Sequence, residues 1–508
     1  MARVAIVGGA ALLALTTAGH GRQFPIWKQG VAYREHGVPS EFFAPVLSAV
    51  SPRQPSRAAL RSLQSANLDF VLRGRSIPAV KVSHATDITN GRSESHITSD
   101  PSDPRHLVGS SKFFTNPDEY LFHVGTYVSF DAGKSWTAEQ VVPGLDNWTI
   151  TSDPSAAIDD QGRAFVCVLA ASRNVEACTD FDDSALYVSR SDDGGVHWND
   201  PVQLVRDQGG FIFHDKEWIT VDARPDSPFR GNVYVTWTRF GFGERIMSTR
   251  STDGGQTWSE PVLVSTGAFF DNQASIPAVA PNGDLYVMWT NYNAGLRFAW
   301  AKSTDGGQTF SAPQAAFTIV SPPGILPNGL FRTPTFPMFD INSNGTLLVA
   351  WQDYRNGDTD VLFSKSSDGG ANWTAPVRVN DDPVGDGMDQ FQPTIAAGPG
   401  GQVSIAWYDR RLTGNTWIDT AMALSIDEGD TWSRNLRLSP VSWDPAVGAA
   451  TPGGKSCGGV VQFIGDYFGN IASAHGSFVP LWLGTQNGRQ ELYASQVRVP
   501  PLRNIFPR

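Results

Sequence analysis

The stretch Ser251-Thr252-Asp253-Gly254-Gly255-Gln256-Thr257-Trp258 decides the fold, because the chain repeats its pattern six times. The other copies are Ser129/Asp131/Gly133/Trp136, Ser191/Asp193/Gly195/Trp198, Ser303/Asp305/Gly307/Phe310, Ser366/Asp368/Gly370/Trp373 and Ser425/Asp427/Gly429/Trp432. Successive serines lie 62, 60, 52, 63 and 59 residues apart. That step is about the length of one four-stranded sheet with its loops. The pattern itself is turn chemistry. A short carboxylate accepts from backbone N–H groups just after it, and a serine hydroxyl closes the same loop from the other side. The glycine supplies a backbone conformation closed to other residues, and the aromatic plugs the hairpin base. Six isolated aspartates in tight turns are therefore read as structural, not as six catalytic or metal sites.

A second motif recurs out of phase with the first. It is a turn glycine followed by a β-branched and aromatic run: Gly162-Arg-Ala-Phe-Val-Cys-Val, Gly231-Asn-Val-Tyr-Val-Thr-Trp237, Gly283-Asp-Leu-Tyr-Val-Met-Trp289, Gly345-Thr-Leu-Leu-Val-Ala-Trp351, Gly401-Gln-Val-Ser-Ile-Ala-Trp407 and Gly476-Ser-Phe-Val-Pro-Leu-Trp482. Such runs suit strands buried between neighbouring sheets. A divergent first member, His106-Leu-Val-Gly-Ser-Ser, makes seven. In the last repeat the third strand, from Glu491 to Arg498, runs into Pro500-Pro501, so its fourth strand must come from elsewhere. Ala79-Val-Lys-Val-Ser83 is the donor this predicts, closing a ring and removing an exposed edge.

These repeats resemble the Asp-boxes of the sialidase (neuraminidase) superfamily of β-propellers, over roughly residues 90 to 498. The expected fold is all-β, a seven-bladed propeller of four-stranded antiparallel blades. Six blades are the alternative, because sialidases themselves form a six-bladed ring. The expected organisation is a signal peptide over 1–18, a lead or cap segment over 19–78 and one propeller over 79–500.

Composition agrees with an all-β reading, with Gly 50, Pro 34, Trp 16 and only 18% charged residues. A net charge of −11 argues against nucleic acid, whose phosphates call for a basic surface. Met1-Ala2-Arg3, the apolar stretch Val4 to Ala18 and the polar residues after it read as a secretory leader, so the expected location is secreted or periplasmic, with no membrane span. Cys167 and Cys178 fall in one repeat, where pairing is feasible in an oxidising compartment, with Cys457 left over.

Topology sorts the candidates for chemistry. In a four-stranded meander the turns after strands one and three share a face, which the Asp-boxes occupy. The loop after strand two and the link into the next blade share the other face, where loops of every blade gather at the axis. Resemblance to sialidases implies arginines for a substrate carboxylate, an aspartate acid/base and a tyrosine nucleophile. It points to Asp215 as acid/base and to Tyr467 or Tyr408 as nucleophile. Arg332, Arg355, Arg410 and Arg411 become the carboxylate clamp, with Lys216, Gln273 and Gln390 as further substrate contacts. One departure stands out. The sialidase Arg-Ile-Pro element is matched only by Arg75-Ser76-Ile77-Pro78, where the inserted serine turns the arginine to the opposite side of an extended segment.

Three functions fit these residues. The first is an exo-acting, sialidase-like glycoside hydrolase on an acidic glycan, needing no cofactor. The second is a non-catalytic propeller binding glycan or protein through its central funnel. In the third, Asp153, Asp215, Asp271, Asp389 and Asp466 face the axis and hold Ca²⁺, a hard cation suited to oxygen ligands.

Overall fold

In the computed structural model, which describes residues 77–83, 91–174, 176, 179–293, 295–450, 454–455, 457–458, 462–473 and 476–498, all six Asp-boxes close in the same way. In the copy at 251–258, the Ser251 hydroxyl donates to Asp253 Oδ1 at 2.7 Å and accepts from the Gly255 N–H at 2.8 Å. Asp253 also accepts from the Thr257 N–H at 2.9 Å and the Thr257 hydroxyl at 2.6 Å. Burial would raise the Asp253 carboxyl, but the Thr257 donors outweigh it and hold the group down at about 2. The residue before the aromatic, Ser135, His197, Thr257, Thr309, Asn372 or Thr431, contacts the aspartate in every copy. The aromatic reaches further than its own hairpin. Trp198 Nε1 donates to Thr126 Oγ1 of the preceding blade at 2.9 Å, and Trp432 packs edge-on against Phe363.

Seven four-stranded sheets follow one another along the chain. Blade 1 spans 92–141, blade 2 150–208, blade 3 213–263, blade 4 272–318, blade 5 338–378 and blade 6 390–437. Blade 7 is composite: Gly469–Ala472, Ser477–Gly484 and Glu491–Ala494 are completed by Val80–Lys81. Val80 pairs with Ala494 and Lys81 with Tyr493, and the Val82 N–H donates to Leu492 O at 2.8 Å. Val82 is fully buried among Leu107, Leu481 and Leu492, so the closing strand joins blade 7 to blade 1. The count is seven blades, not six.

The core lies between blades. Trp237, Trp289, Trp351, Trp407 and Trp482, which end the glycine-led strands, are all fully buried. Cys167 is a free, buried thiol, whereas Cys457 is disulfide-bonded; the odd cysteine is Cys167, not Cys457. The expected leader (1–18) and nearly all of the lead segment (19–78), with Arg75, lie outside the described residues. No helix among the described residues is long and apolar enough to cross a membrane.

Candidate functional site

The innermost strands carry a shared irregularity that builds the hub. In five blades the pairing with the second strand slips near the loop face, between Ser93/His96, Ser152/Ser155, Asp215/Trp218, Gln273/Ile276 and Phe391/Thr394. Inside each slip one non-glycine residue takes a left-handed backbone: Glu94 (φ 50°), Asp153 (50°), Lys216 (53°), Ala274 (57°) and Gln392 (44°). Each such residue costs on the order of 1–3 kcal/mol, tolerated because a bulge re-aims its side chain. Three of the five are charged, and their side chains meet.

Lys216 Nζ lies 2.7 Å from Asp153 Oδ2, 2.8 Å from Asp466 Oδ2 and 3.0 Å from Glu94 Oε1, tying blade 3 to blades 1 and 2 and to the segment entering blade 7. Arg332 holds Asp466 through two bonds, Nε to Oδ1 at 2.7 Å and Nη2 to Oδ2 at 2.6 Å. Lys112 Nζ stands 2.7 Å from Glu94 Oε2. Three cations thus face three carboxylates inside one buried layer.

Proton positions follow from this packing. Burial would raise Asp153 and Asp466, but Lys216, with Lys112 on Asp153 and Arg332 on Asp466, holds both below the usual range. Burial opposes the Lys216 ammonium, yet Asp153, Asp466 and Glu94 keep it firmly protonated. Glu94 is pushed up by burial and by Asp153, against the pull of both lysines. Asp215 accepts from Gln273 Nε2 at 3.3 Å, and burial, partly offset by Lys216, lifts its carboxyl to about 7. Burial also drives Glu217 well above the usual carboxylate range, with neither of its oxygens hydrogen-bonded. The Tyr467 hydroxyl donates to Pro154 O at 3.3 Å, and burial pushes its phenol well up.

The layer is sealed on both sides. Towards the loop face, segments 321–333 and 462–466 cover it: Phe331 bridges to Gln462, and the Phe463 ring sits 4.3 Å from Lys112 Nζ and 4.7 Å from the Arg332 guanidinium. Below, His96, Trp218 and Tyr467 stack edge to face as a floor. Under that floor a cavity of about 310 Å³ opens towards the Asp-box face, lined mainly by apolar residues such as Ile219, Ile276, Met338 and Ile395. Arg332, Asp466, Lys216, Asp153, Glu94 and Lys112 are all at most 5% exposed.

Of the residues the sequence singled out, the fold gathers Asp153, Asp215, Lys216, Gln273, Arg332, Asp466 and Tyr467. The others lie elsewhere. Tyr408 is in the core between blades 6 and 7, stacked on Phe468 at 4.7 Å, and its oxygen accepts from the Leu483 N–H. Arg355 and Arg411 belong to a repeated local lock, in which Asp353 and Asp409 each accept from a tryptophan indole (Trp351 at 2.9 Å, Trp407 at 3.0 Å) and from the arginine two residues on. Arg410 donates to Pro327 O at 2.8 Å and lies 3.4 Å from Asp389. Gln390 bonds Asn380 and Asp382. Asp271 sits half-buried on the link into blade 4.

The donor set does not fit calcium. Lys216 and Arg332 already answer Asp153 and Asp466, Asp389 faces Arg410, and Asp271 is apart. Among the described residues no group of three or more His, Cys, Asp or Glu is arranged to hold a metal ion.

Sequence reasoning passed over Lys112. A signal for Lys112 existed. Leu107, Val233, Leu285 and Leu347 each pair with an Asp-box serine, and five residues later stand Lys112, Thr238, Thr290 and Gln352. Lys112 is the one charged member of that set.

Residues 245–444 match the model of the BNR repeat-like domain. No curated protein matches the chain. Among solved structures, a protein of unknown function from Dyadobacter fermentans DSM 18053 is 14% identical, with 69% of this chain and 99% of that one covered at a TM-score of 0.48. The Hadza microbial sialidase Hz136 is 16% identical, covering 72% and 71% at 0.47. An α-L-arabinofuranosidase, Arb93A from Fusarium graminearum, is 12% identical, covering 69% and 97% at 0.47. None of those activities passes to this chain by similarity this distant.

Proposed function

We propose, from the premise that this chain is an Asp-box, BNR-repeat β-propeller, that it is a sialidase-like glycan-binding protein that engages an acidic glycan on its loop face without hydrolysing it. One observation carries the reading. Among the described residues, the one candidate clamp arginine at the hub, Arg332, is occupied in two-bonded fashion by the chain's own Asp466, in the manner a substrate carboxylate would occupy it. Lys216 is likewise saturated by three internal carboxylates, so the hub works as a keystone and leaves binding to the surrounding loops.

A second reading, an exo-acting glycoside hydrolase, is favoured by one specific feature. The Asp215 carboxyl, lifted to about 7 beside Gln273, has the proton affinity of a general acid. It requires that Phe463, which lies against Lys112 and Arg332, give way to substrate. The two readings separate in one experiment. The full chain is screened against an array of sialate-, uronate- and neutral-terminated glycans, with binding and sugar release measured for wild type and Asp215→Asn. Binding of acidic glycans without release, equal in both proteins, is the expected result. Release that disappears in Asp215→Asn at an unchanged melting temperature would establish the hydrolase, and an array without any binding would overturn the glycan reading altogether.

A further inference from the structure

Three phenylalanines stand on the loop face where a β-propeller of this composition has no folding need for them. Phe211 is 56% exposed, Phe242 75% and Phe270 36%, and they come from three separate loops around blade 3. The loops are packed together. The Phe211 and Phe242 ring centroids lie 4.3 Å apart, and a Cβ added to Gly243 would sit 3.6 Å from that of Phe270. A Cβ on Gly241 would meet Ile212 Cδ1 at 2.5 Å, and Gly241 takes φ 151°, a region closed to other residues. The backbone is thus committed to holding the rings side by side in solvent.

Size selects the partner. The three rings expose roughly 300 Å². A stable protein interface takes about 800 Å² from each partner, whereas one or two sugar rings cover a patch of this size. Charge narrows the partner further. On a chain of net charge −11, Arg239 stands three residues before Phe242, with its side chain 37% exposed and its contact with Asp207 a loose 4.0 Å. Asp207 is already engaged by His214 Nε2 at 2.9 Å. Arg239 therefore keeps donors for an incoming anion.

We infer that Phe211, Phe242 and Phe270 form a stacking platform for the pyranose faces of an acidic glycan, with Arg239 taking its carboxylate. The inference rests on the glycan reading above and names the site and the sugar class.

The test uses the full chain, with oligogalacturonate and the same oligomer with its carboxylates reduced to alcohols as probes, followed by calorimetry. Phe242→Ala and Phe211→Ala should each weaken oligogalacturonate binding about tenfold, and Phe242→Tyr should retain it. Arg239→Gln should abolish the preference for the acidic over the reduced oligomer. Melting temperatures should not move, since these side chains are exposed. Wild-type binding that survives both alanine variants would overturn the platform while leaving the glycan reading intact. Failure of wild type to bind oligogalacturonate would overturn the sugar class, and the glycan array judges the broader reading separately. A dimer in sedimentation velocity that the alanine variants convert to monomer would make the patch a self-association surface and also overturn the inference.

Discussion

Replacing Lys216 with methionine keeps the length of the side chain and removes the ammonium that three carboxylates share at 2.7–3.0 Å. Asp153 and Glu94 retain their other partners, Ser152 and Lys112, and Asp466 retains Arg332, but each loses its contact at the centre of the hub. Breaking a buried ion pair from one side costs about 3–5 kcal/mol. Unfolding entropy of about 2.1 cal/mol/K per residue over roughly 400 ordered residues converts that to about 4–6 °C in Tm. The sign with pH follows from linkage. Without Lys216 the folded carboxylates are raised above their unfolded values, so the variant's stability is retained below the unfolded pKa and lost as pH rises through the folded one. Differential scanning calorimetry of both proteins at pH 5 and pH 8 should show a clearly larger deficit at pH 8. Adding Glu94→Gln should recover part of the loss, because one unpaired charge leaves with it. A deficit below about 1 °C, or one equal at both pH values, would refute the keystone account.

Other expectations are more local. Asp215→Asn should gain stability relative to wild type as pH rises from 4 to 8: the folded carboxyl is raised to about 7, so its contribution is full below the unfolded value and gone above 7, as Tm differences across that range will show. Asp253→Ala should cost about 1–2 kcal/mol, or about 1–2 °C, by orphaning the Gln256 and Thr257 N–H groups, and pairing it with Asp427→Ala should give an additive loss in urea titration. Val82→Asp places a charge in the seam between blades 7 and 1, and should lower Tm by at least about 3 °C and expose an edge that light scattering detects as aggregation.

The ring was legible because its signals are local. An Asp-box needs eight residues, and the missing seventh box with Pro500-Pro501 announced that Ala79–Ser83 must close the last blade. The hub was only half legible because it depends on slips in register that no short motif encodes. Lys112 and Tyr408 occupy the same place in their blades, five residues after the one opposite an Asp-box serine. That place faces the next blade, so a lysine there meets Ser152 while a tyrosine there meets Leu483. Neither outcome could be read from a loop assignment that treated Tyr408 as axial. Arg355 and Arg411 misled for a different reason. Their aspartates, Asp353 and Asp409, stand two residues before them, and the pair serves the buried tryptophan.

The seam in blade 7 also has a bearing on how the molecule comes into being. Val80 meets Ala494 only after the whole intervening chain has been made, so a nascent chain carries an unfinished edge until Ala494 has been added. Completion of the circle is then a single late event that all earlier blades await. Since nothing but chain order places the join there, moving the termini into the turn between Ser129 and Trp136 would shift that vulnerable moment to another blade and leave the finished disc unchanged.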